Sequence, residues 1–323
     1  MPEVKVVGPE ELDFKALVQL QRDAFADLIA QTGVGYLFDE ATYRWKYRPP
    51  AGGARIALVV DAGEIVAANA MYPLQIRRGT TTVSGWQSCD TATHPKARGK
   101  GYFMKCLDAL RATLGSETIF FGFPNRNSMP GFLKFGWRHH SDLRTRVRIL
   151  PGRRMSSFPH IERIAAFGAA HQEIVPSDGD GGGALVDRSA AYLDWRYLRH
   201  PLHQYESFAW TEGGRPAGLA VLRVVTLNGR RIAVVMELLA RTPEAERDLL
   251  RFAAAWARDK EVRTALVLNN TTGALRGLRC GYLPVPTWAL PKRQVLMGAA
   301  SGPTAERIWQ GPWSVQIGDW DGF

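Results

Sequence analysis

The stretch THPKARGKGYFMKCL, residues 93–107, gathers residue types that hold an anion. Gly99 and Gly101 flank Lys100, and His94, Lys96 and Arg98 lie just before them. Glycine lets a chain turn tightly and leaves no Cβ between a backbone amide and a ligand. The preceding residues 82–92, TVSGWQSCDTA, have strand composition, and His94–Pro95 ends that strand because proline cannot donate to a ladder. Beyond Gly101, Phe103, Leu107, Leu110 and Leu114 recur at helical spacing. Strand, glycine turn and helix start together present unspent N–H groups and the positive end of a helix dipole. A pyrophosphate fits that arrangement.

Two common phosphate motifs are excluded. Phe103 and Met104 follow Gly101, so there is no GxGxxG, and no acidic residue follows at the spacing that reads a ribose. The ATP P-loop pattern is also missing.

KARGKG instead resembles the acyl-CoA pyrophosphate loop of the GNAT acetyltransferases: Arg or Gln, two residues, Gly, one residue, then Gly or Ala. Lys96 stands at the Arg/Gln position, whereas Arg98, Gly99 and Gly101 fit. NRNSMPGFLKFGW (125–137) resembles the second signature of that family, with Asn125, Ser128, Phe132, Gly136 and Trp137 at its places. The two motifs lie 26 residues apart, Gly99 to Asn125. The resemblance implies a mixed α/β sheet splayed between its fourth and fifth strands, with acetyl-CoA or another acyl-CoA in the gap and no metal. The pantetheine arm would pair with the strand at Asp90, Thr91, Ala92 and Thr93. The pyrophosphate would sit on the amides of Ala97, Arg98, Gly99, Lys100, Gly101 and Tyr102, near Lys96. Asn125, Ser128 and Phe132 would face the cofactor from the other strand.

Such enzymes attack the thioester directly with an amine, so a proton must leave the ammonium and one must reach the thiolate. The family often protonates the thiolate with a Tyr where this chain has Phe132, which leaves that role vacant. Asp90 is the first candidate base and His94 the second. His139 and His140 follow Trp137 and could line a pocket, and Asp319 and Asp321 could bind a cationic amine if the tail folds back. Tyr43 and Trp45 are candidates for an aromatic acceptor floor, although their recurrence in a second copy favours packing.

What positions these residues is a duplicated fold. DEATYRWKYRP (39–49) is echoed by DRSAAYLDWRYLRHP (187–201), with Trp45 and Trp195 separated by 150 positions. Asn125 and Gly136 have counterparts 145 positions on, at Asn270 and Gly281. Residues 54–74 and 206–224 both read as strand, glycine turn and strand. We expect an N-terminal acyl-CoA-binding copy at 1–150, a linker at 151–186, a degenerate second copy at 187–298 and a docked tail at 299–323. In the first copy helices are expected over 10–31, 39–47, after Gly101 and from 127, with strands at 82–92 and 118–123 and a closing strand at 143–150. The second copy reads ARTPEAERDLL where the first has its glycine loop. Glu244 and Glu246 would repel a pyrophosphate there, so one acyl-CoA per chain is expected.

The chain has 323 residues, 46% of them apolar, enough for two cores. Its formal net charge of +10 suits anionic substrates. Cys89, Cys106 and Cys280 have no CxxC spacing and no His/Cys cluster has metal-ligand spacing, so free thiols, no metal and a reducing cytoplasm are expected. No signal peptide or apolar span is visible. The leading expectation is an acyl-CoA-dependent N-acyltransferase for a small-molecule amine. The resemblance to bacterial tandem relatives points to a nucleotide-linked amino sugar. The alternatives are an aminoacyl-tRNA-dependent transferase and a non-catalytic acyl-CoA sensor.

Overall fold

The computed structural model describes residues 2–151, 157–174, 183–227, 229–268, 274–286 and 294–320. The first half runs β1 (Glu3–Val7), α1 (Phe14–Ala24), α2 (Ala26–Thr32), α3 (Glu40–Lys46), β2 (Arg55–Asp61), β3 (Glu64–Arg78), β4 (Thr81–Thr93), α4 (Tyr102–Ala112), β5 (Thr118–Gly122), α5 (Met129–Lys134) and β6 (Arg138–Asp142). There follow β7 (Thr145–Ile149), β8 (Ile161–Ile164), α6 (Ala169–Gln172), β9 (Leu185–Val186), α7 (Ala190–Leu193), β10 (Glu206–Glu212), β11 (Arg215–Leu227), β12 (Arg230–Ala240), α8 (Pro243–Asp259), β13 (Thr264–Leu268), α9 (Ala274–Arg279), β14 (Leu283–Pro284), β15 (Val295–Ser301) and α10 (Pro303–Gln310).

The two halves are built by the same local rules. Ala62–Gly63 and Gly213–Gly214 all have positive φ, 52° and 86° in the first turn and 57° and 76° in the second. Consecutive positive φ values match the twist of a two-residue hairpin, so β2–β3 and β10–β11 close alike. Asp39 caps α3 by accepting from the amides of Ala41 and Thr42. Thr242 caps α8, with Pro243 in its first turn. The α8 residues Leu249, Leu250, Ala253, Ala254 and Ala257 form one buried stripe.

Two mixed sheets result, ordered β1-β2-β3-β4-β5-β15-β6 and β14-β7-β13-β12-β11-β10-β8, with β9 against the far end of β3. Each contains one parallel pair, β4 with β5 and β12 with β13. The expected boundaries do not separate the sheets. The closing strand placed at 143–150 is β7, and it lies between β13 and β14 of the second sheet. Conversely β15, which spans the boundary at 298, lies antiparallel between β5 and β6 of the first. The linker at 151–186 supplies β8 and β9, one to each sheet. The physical reason is the same on both sides: β5 and β13 each have one edge left open by their own half, and unpaired edges are costly. The helix expected over 10–31 breaks at Phe25 into α1 and α2.

The tail packs between the halves. Gln87 donates to the Asp319 carbonyl at 2.9 Å and Arg196 to the Gly318 carbonyl at 2.8 Å. Asp319 pairs with the fully buried Arg188 at 2.7 Å. Asp319 is therefore a buried structural ion rather than an amine ligand; Asp321 lies outside the described residues. Asn270, one of the repeat anchors, also lies outside them.

Candidate active site

The splay opens on β4. Its Ser84, Gly85, Trp86 and Gln87 pair with Thr118, Ile119, Phe120 and Phe121 of β5. Past that register β4 continues to Thr93 without a β5 partner. A bulge marks the divergence: the β3–β4 register shifts between Ala68 and Ala70, and Asp90 takes φ +50°. Asn69, fully buried opposite it, donates to Ser88 Oγ at 3.2 Å and to Thr91 Oγ1. Gln21 of α1 donates to the Asp90 carbonyl at 2.7 Å. The bulge is thus held from both sides.

Beside it lies a cleft of about 570 Å³. Its walls are Thr91, Ala92 and Thr93 of β4, the α1–α2 corner (Ala24, Phe25, Asp27, Leu28), Arg98 and Phe103, and Asn125, Asn127, Ser128 and Gly131 at α5. Six residues named from the sequence thus meet here: Thr91, Ala92, Thr93, Arg98, Asn125 and Ser128. Asn125 accepts from the amides of Asn127 and Ser128 at 2.9 and 3.0 Å, so its side chain shapes the turn into α5. At Gly131 a Cβ would run into the Phe103 ring.

The glycine loop borders this cleft through Arg98 and Phe103. Pro95–Ala97 form a 3-10 turn, and the Ala97 and Arg98 amides donate to the His94 and Pro95 carbonyls at 2.8 and 3.4 Å. The expected phosphate contacts of those two amides are therefore already spent. Gly99 and Gly101 have φ of 81° and 74°, and no side chain caps α4. Among the described residues no acceptor meets the amides of Gly99, Lys100, Gly101, Tyr102 and Phe103. Lys96, Lys100 and Arg98 are exposed around them, and Arg98 is tied to the Ala24 carbonyl at 3.0 Å. The second half has no such nest: α8 follows directly on Thr242, whose hydroxyl already holds the Ala245 amide.

Several expected site residues have other partners. Asp90 does not line the cleft. Its carboxylate meets Lys46 Nζ at 3.0 and 3.2 Å and the Tyr47 hydroxyl at 3.1 Å, which spends both oxygens. Burial and Asp90 together raise the Tyr47 pKa well above its ordinary value. His94 accepts from the Lys96 amide through Nδ1 at 3.3 Å and lies 4.0 Å from Asp23. Phe132 is buried, stacked on Trp137 at 4.3 Å and edge-on to Phe103 at 5.1 Å, so it packs the wall without facing a thiolate. Tyr43 is in the core, and Trp45 stacks on Trp195, so neither is an open floor. His139 pairs with Asp142 at 3.0 Å, and His140 meets the Gly311 carbonyl at 3.0 Å. Burial lowers the His140 pKa.

The sequence did not mark the α1–α2 corner. Asp27, exposed on α2, is the one carboxylate among the cleft residues. Its only signal was its place in the first turn of a helix, which many surface acids share.

Residues 8–140 match the family model of an acetyltransferase (GNAT) domain. The fold is similar over most of the chain to three solved structures. A conserved protein of unknown function from Enterococcus faecalis, a probable N-acyltransferase, has 14% identity and a TM-score of 0.66, covering 93% of this chain and 73% of that one. The GCN5-related N-acetyltransferase from Anabaena variabilis has 11% identity and a TM-score of 0.61, covering 92% and 72%. N-myristoyltransferase from Saccharomyces cerevisiae, solved with myristoyl-CoA, has 9% identity and a TM-score of 0.61, covering 93% and 80%. At these identities the likeness is one of fold. No curated protein sequence matches the chain significantly. Among the described residues no helix is long and apolar enough to cross a membrane, and no group of three or more metal-ligating side chains occurs.

Proposed function

We propose that the chain is an acyl-CoA-dependent N-acyltransferase that binds one acyl-CoA in its N-terminal half and passes the acyl group to a primary amine of a small molecule. One observation carries this: the unpaired end of β4 lines a cleft whose wall also includes Arg98 and Phe103, the residues that bracket the unspent amides of the glycine loop. A pantetheine arm laid along Thr91–Thr93 would add to β4 as a strand does. Its pyrophosphate would then reach the α4 N-terminus, where amides, dipole and Lys96, Arg98 and Lys100 favour negative charge.

The reaction needs little covalent help. The amine lone pair attacks the thioester carbonyl, a C–N bond forms, the C–S bond breaks, and the ammonium proton leaves while coenzyme A departs as thiol. Fixing the two reactants together supplies up to roughly 7–11 kcal/mol of the barrier. Asp27 is placed to take the ammonium proton, directly or through water. With Phe132 buried, the thiolate leaves without a tyrosine acid and takes its proton from solvent. A nucleotide-linked amino sugar fits the basic chain as acceptor.

Thiol release from acetyl-CoA across a panel of small amines, including nucleotide amino sugars, tests the proposal. Turnover with at least one amine, and one coenzyme A bound per chain, is the expected result. Tight coenzyme A binding without turnover would make the protein a sensor, and no coenzyme A binding would remove the proposal altogether.

A further inference from the structure

The segment RHPLHQY, residues 199–205, follows the π-helical turn Asp194–Leu198 and reaches across to α3 of the other half. His200 packs on Trp45 with ring centroids 4.2 Å apart and stacks on His203 at 4.3 Å. Hydrogen bonds fix both tautomers. The amides of Leu202 and His203 each donate to His200 Nδ1 at 3.2 Å. The Arg223 guanidinium, which can only donate, meets His203 Nδ1 at 2.9 Å. A neutral imidazole whose Nδ1 accepts carries its proton on Nε2. Burial and the charges of Arg196 and Arg223 keep both rings neutral, with pKa values lowered to about 2 for His200 and about 4 for His203. His200 therefore offers an Nε2–H that no acceptor meets among the described residues, whereas the His203 ring also lies against the Leu202 carbonyl.

Arg223 adds more donors. Its Nη1 is buried with no hydrogen-bond partner, and no carboxylate pairs with the guanidinium among the described residues. Behind it Arg196 is buried too, held by the Gly318 carbonyl at 2.8 Å and the Tyr205 hydroxyl at 3.3 Å instead of an acid. A buried guanidinium without a counter-ion is costly, and half-buried Arg223 shares that cost through its buried Nη1. The Tyr205 hydroxyl also meets Arg223. The unpartnered atoms, His200 Nε2–H and Arg223 Nη1, are both donors, a set that suits an anion.

The cluster is linked to the cleft wall through one ion pair. His200 feels the charge of Lys46, Lys46 holds Asp90, and Asp90 precedes Thr91 of the cleft wall. Tyr36, 61% exposed before α3, lies within electrostatic reach of Arg223 from the first half.

We propose that His200, His203 and Arg223 form an anion site at the junction of the two halves, which holds a carboxylate or phosphate group of the acceptor. That the anion belongs to the acceptor depends on the acyltransferase function proposed above; that the site binds an anion does not. The second half, which has no glycine loop, would thus read the acceptor while the first half holds the donor.

Full-length protein labelled with 15N-histidine is titrated with inorganic phosphate and, separately, with succinate, at saturating coenzyme A so that the glycine loop is filled. The His200 and His203 Nε2–H signals are expected to shift saturably. Arg223→Met should weaken the response by about tenfold or more, the worth of a charge-assisted hydrogen bond. Arg223→Lys should keep part of it, and coenzyme A affinity should not change in either variant. Preference for phosphate assigns a phosphorylated acceptor, and preference for succinate a carboxylated one. Signals unmoved by both anions, or moved equally in wild type and Arg223→Met, would overturn the proposal. If Arg223→Met does not fold, His203→Phe carries the same comparison. Failure of coenzyme A to bind would count against the acyltransferase function alone, because the titration without it still reads the histidines.

Discussion

Trp45 and Trp195 exchange hydrogen bonds: each indole N–H donates to the other's main-chain carbonyl, at 2.9 and 3.1 Å. Their rings stack at 4.8 Å with planes 17° apart. Residues 150 positions apart that contact one another reciprocally lie on a local twofold axis, as in an isologous dimer interface. The relation extends outward. Tyr47 donates to Asp90 at 3.1 Å in one half, and Tyr197 donates to Glu237 at 2.7 Å in the other. Because each tryptophan loses its partner when the other is removed, Trp45→Ala and Trp195→Ala should not be additive. We expect each to destabilise by roughly 2–4 kcal/mol, with a coupling of about 1–3 kcal/mol in the double variant. Urea unfolding of the four proteins measures it, and strict additivity would deny the pairing.

The exchanged strands make the halves inseparable. A fragment of residues 1–150 lacks β15, so β5 and β6 both lose a neighbour, and it carries β7 with nothing to pair. Gly298 shows how closely β15 fits, since a Cβ there would run into the Phe120 carbonyl and Trp309. The fragment is expected to aggregate on expression, and a fusion that restores residues 294–311 should recover soluble protein. A soluble, monomeric 1–150 fragment with dispersed amide signals would contradict the exchange.

Much of the candidate cleft was legible because the residues that shape it act through local backbone. Gly99 and Gly101 are marked by the left-handed conformation their turn needs, and Asn125 by the turn it caps. The hairpins, α3 and α4 were readable for the same reason. The strand exchange was not, because pairing partners of β7 and β15 are decided by which sheet edge lies open in three dimensions. Nor were the partners of Asp90. Strand position suggested a cleft carboxylate, but the bulge at φ +50° leaves its side chain with Lys46 and Tyr47.

Coenzyme A binding should depend on the loop in one half only. Gly101→Val places a β-branched residue at φ 74°, a conformation it strongly disfavours, and covers the amides around it. Titration calorimetry should show one site per chain in the wild type and at least about tenfold weaker binding in the variant. Two equivalent sites would mean that the second half also binds, against the capped start of α8.

Asp27 and Asp90 should respond in opposite ways. Asp27 is exposed on the cleft wall, so Asp27→Asn should leave stability unchanged and lower kcat/KM by about 10²-fold, the lower range for a lost proton acceptor. The Asp90 and Lys46 side chains are only 10% and 9% exposed, and removing one partner of a buried pair strands the other. Asp90→Asn should cost about 3 kcal/mol of stability and change kcat/KM less than Asp27→Asn does. The reverse pattern would restore Asp90 as the base.

The histidine stack predicts an acid-side loss of stability. His200 has an ordinary value of 6.5 that folding lowers to about 2, chiefly through burial and then the charge of Arg196; His203 falls to about 4. Above pH 6.5 both rings are neutral in folded and unfolded chains, so they contribute no pH dependence. Below it the unfolded chain takes up protons that the folded chain refuses, and stability falls as pH drops toward those lowered values. Urea midpoints at pH 7.5, 6.5, 5.5 and 4.5 should therefore decline more steeply in the wild type than in a His200→Gln, His203→Gln variant. Parallel curves for the two proteins would mean that the rings titrate normally in the fold, and would remove the argument that they stand as neutral donors.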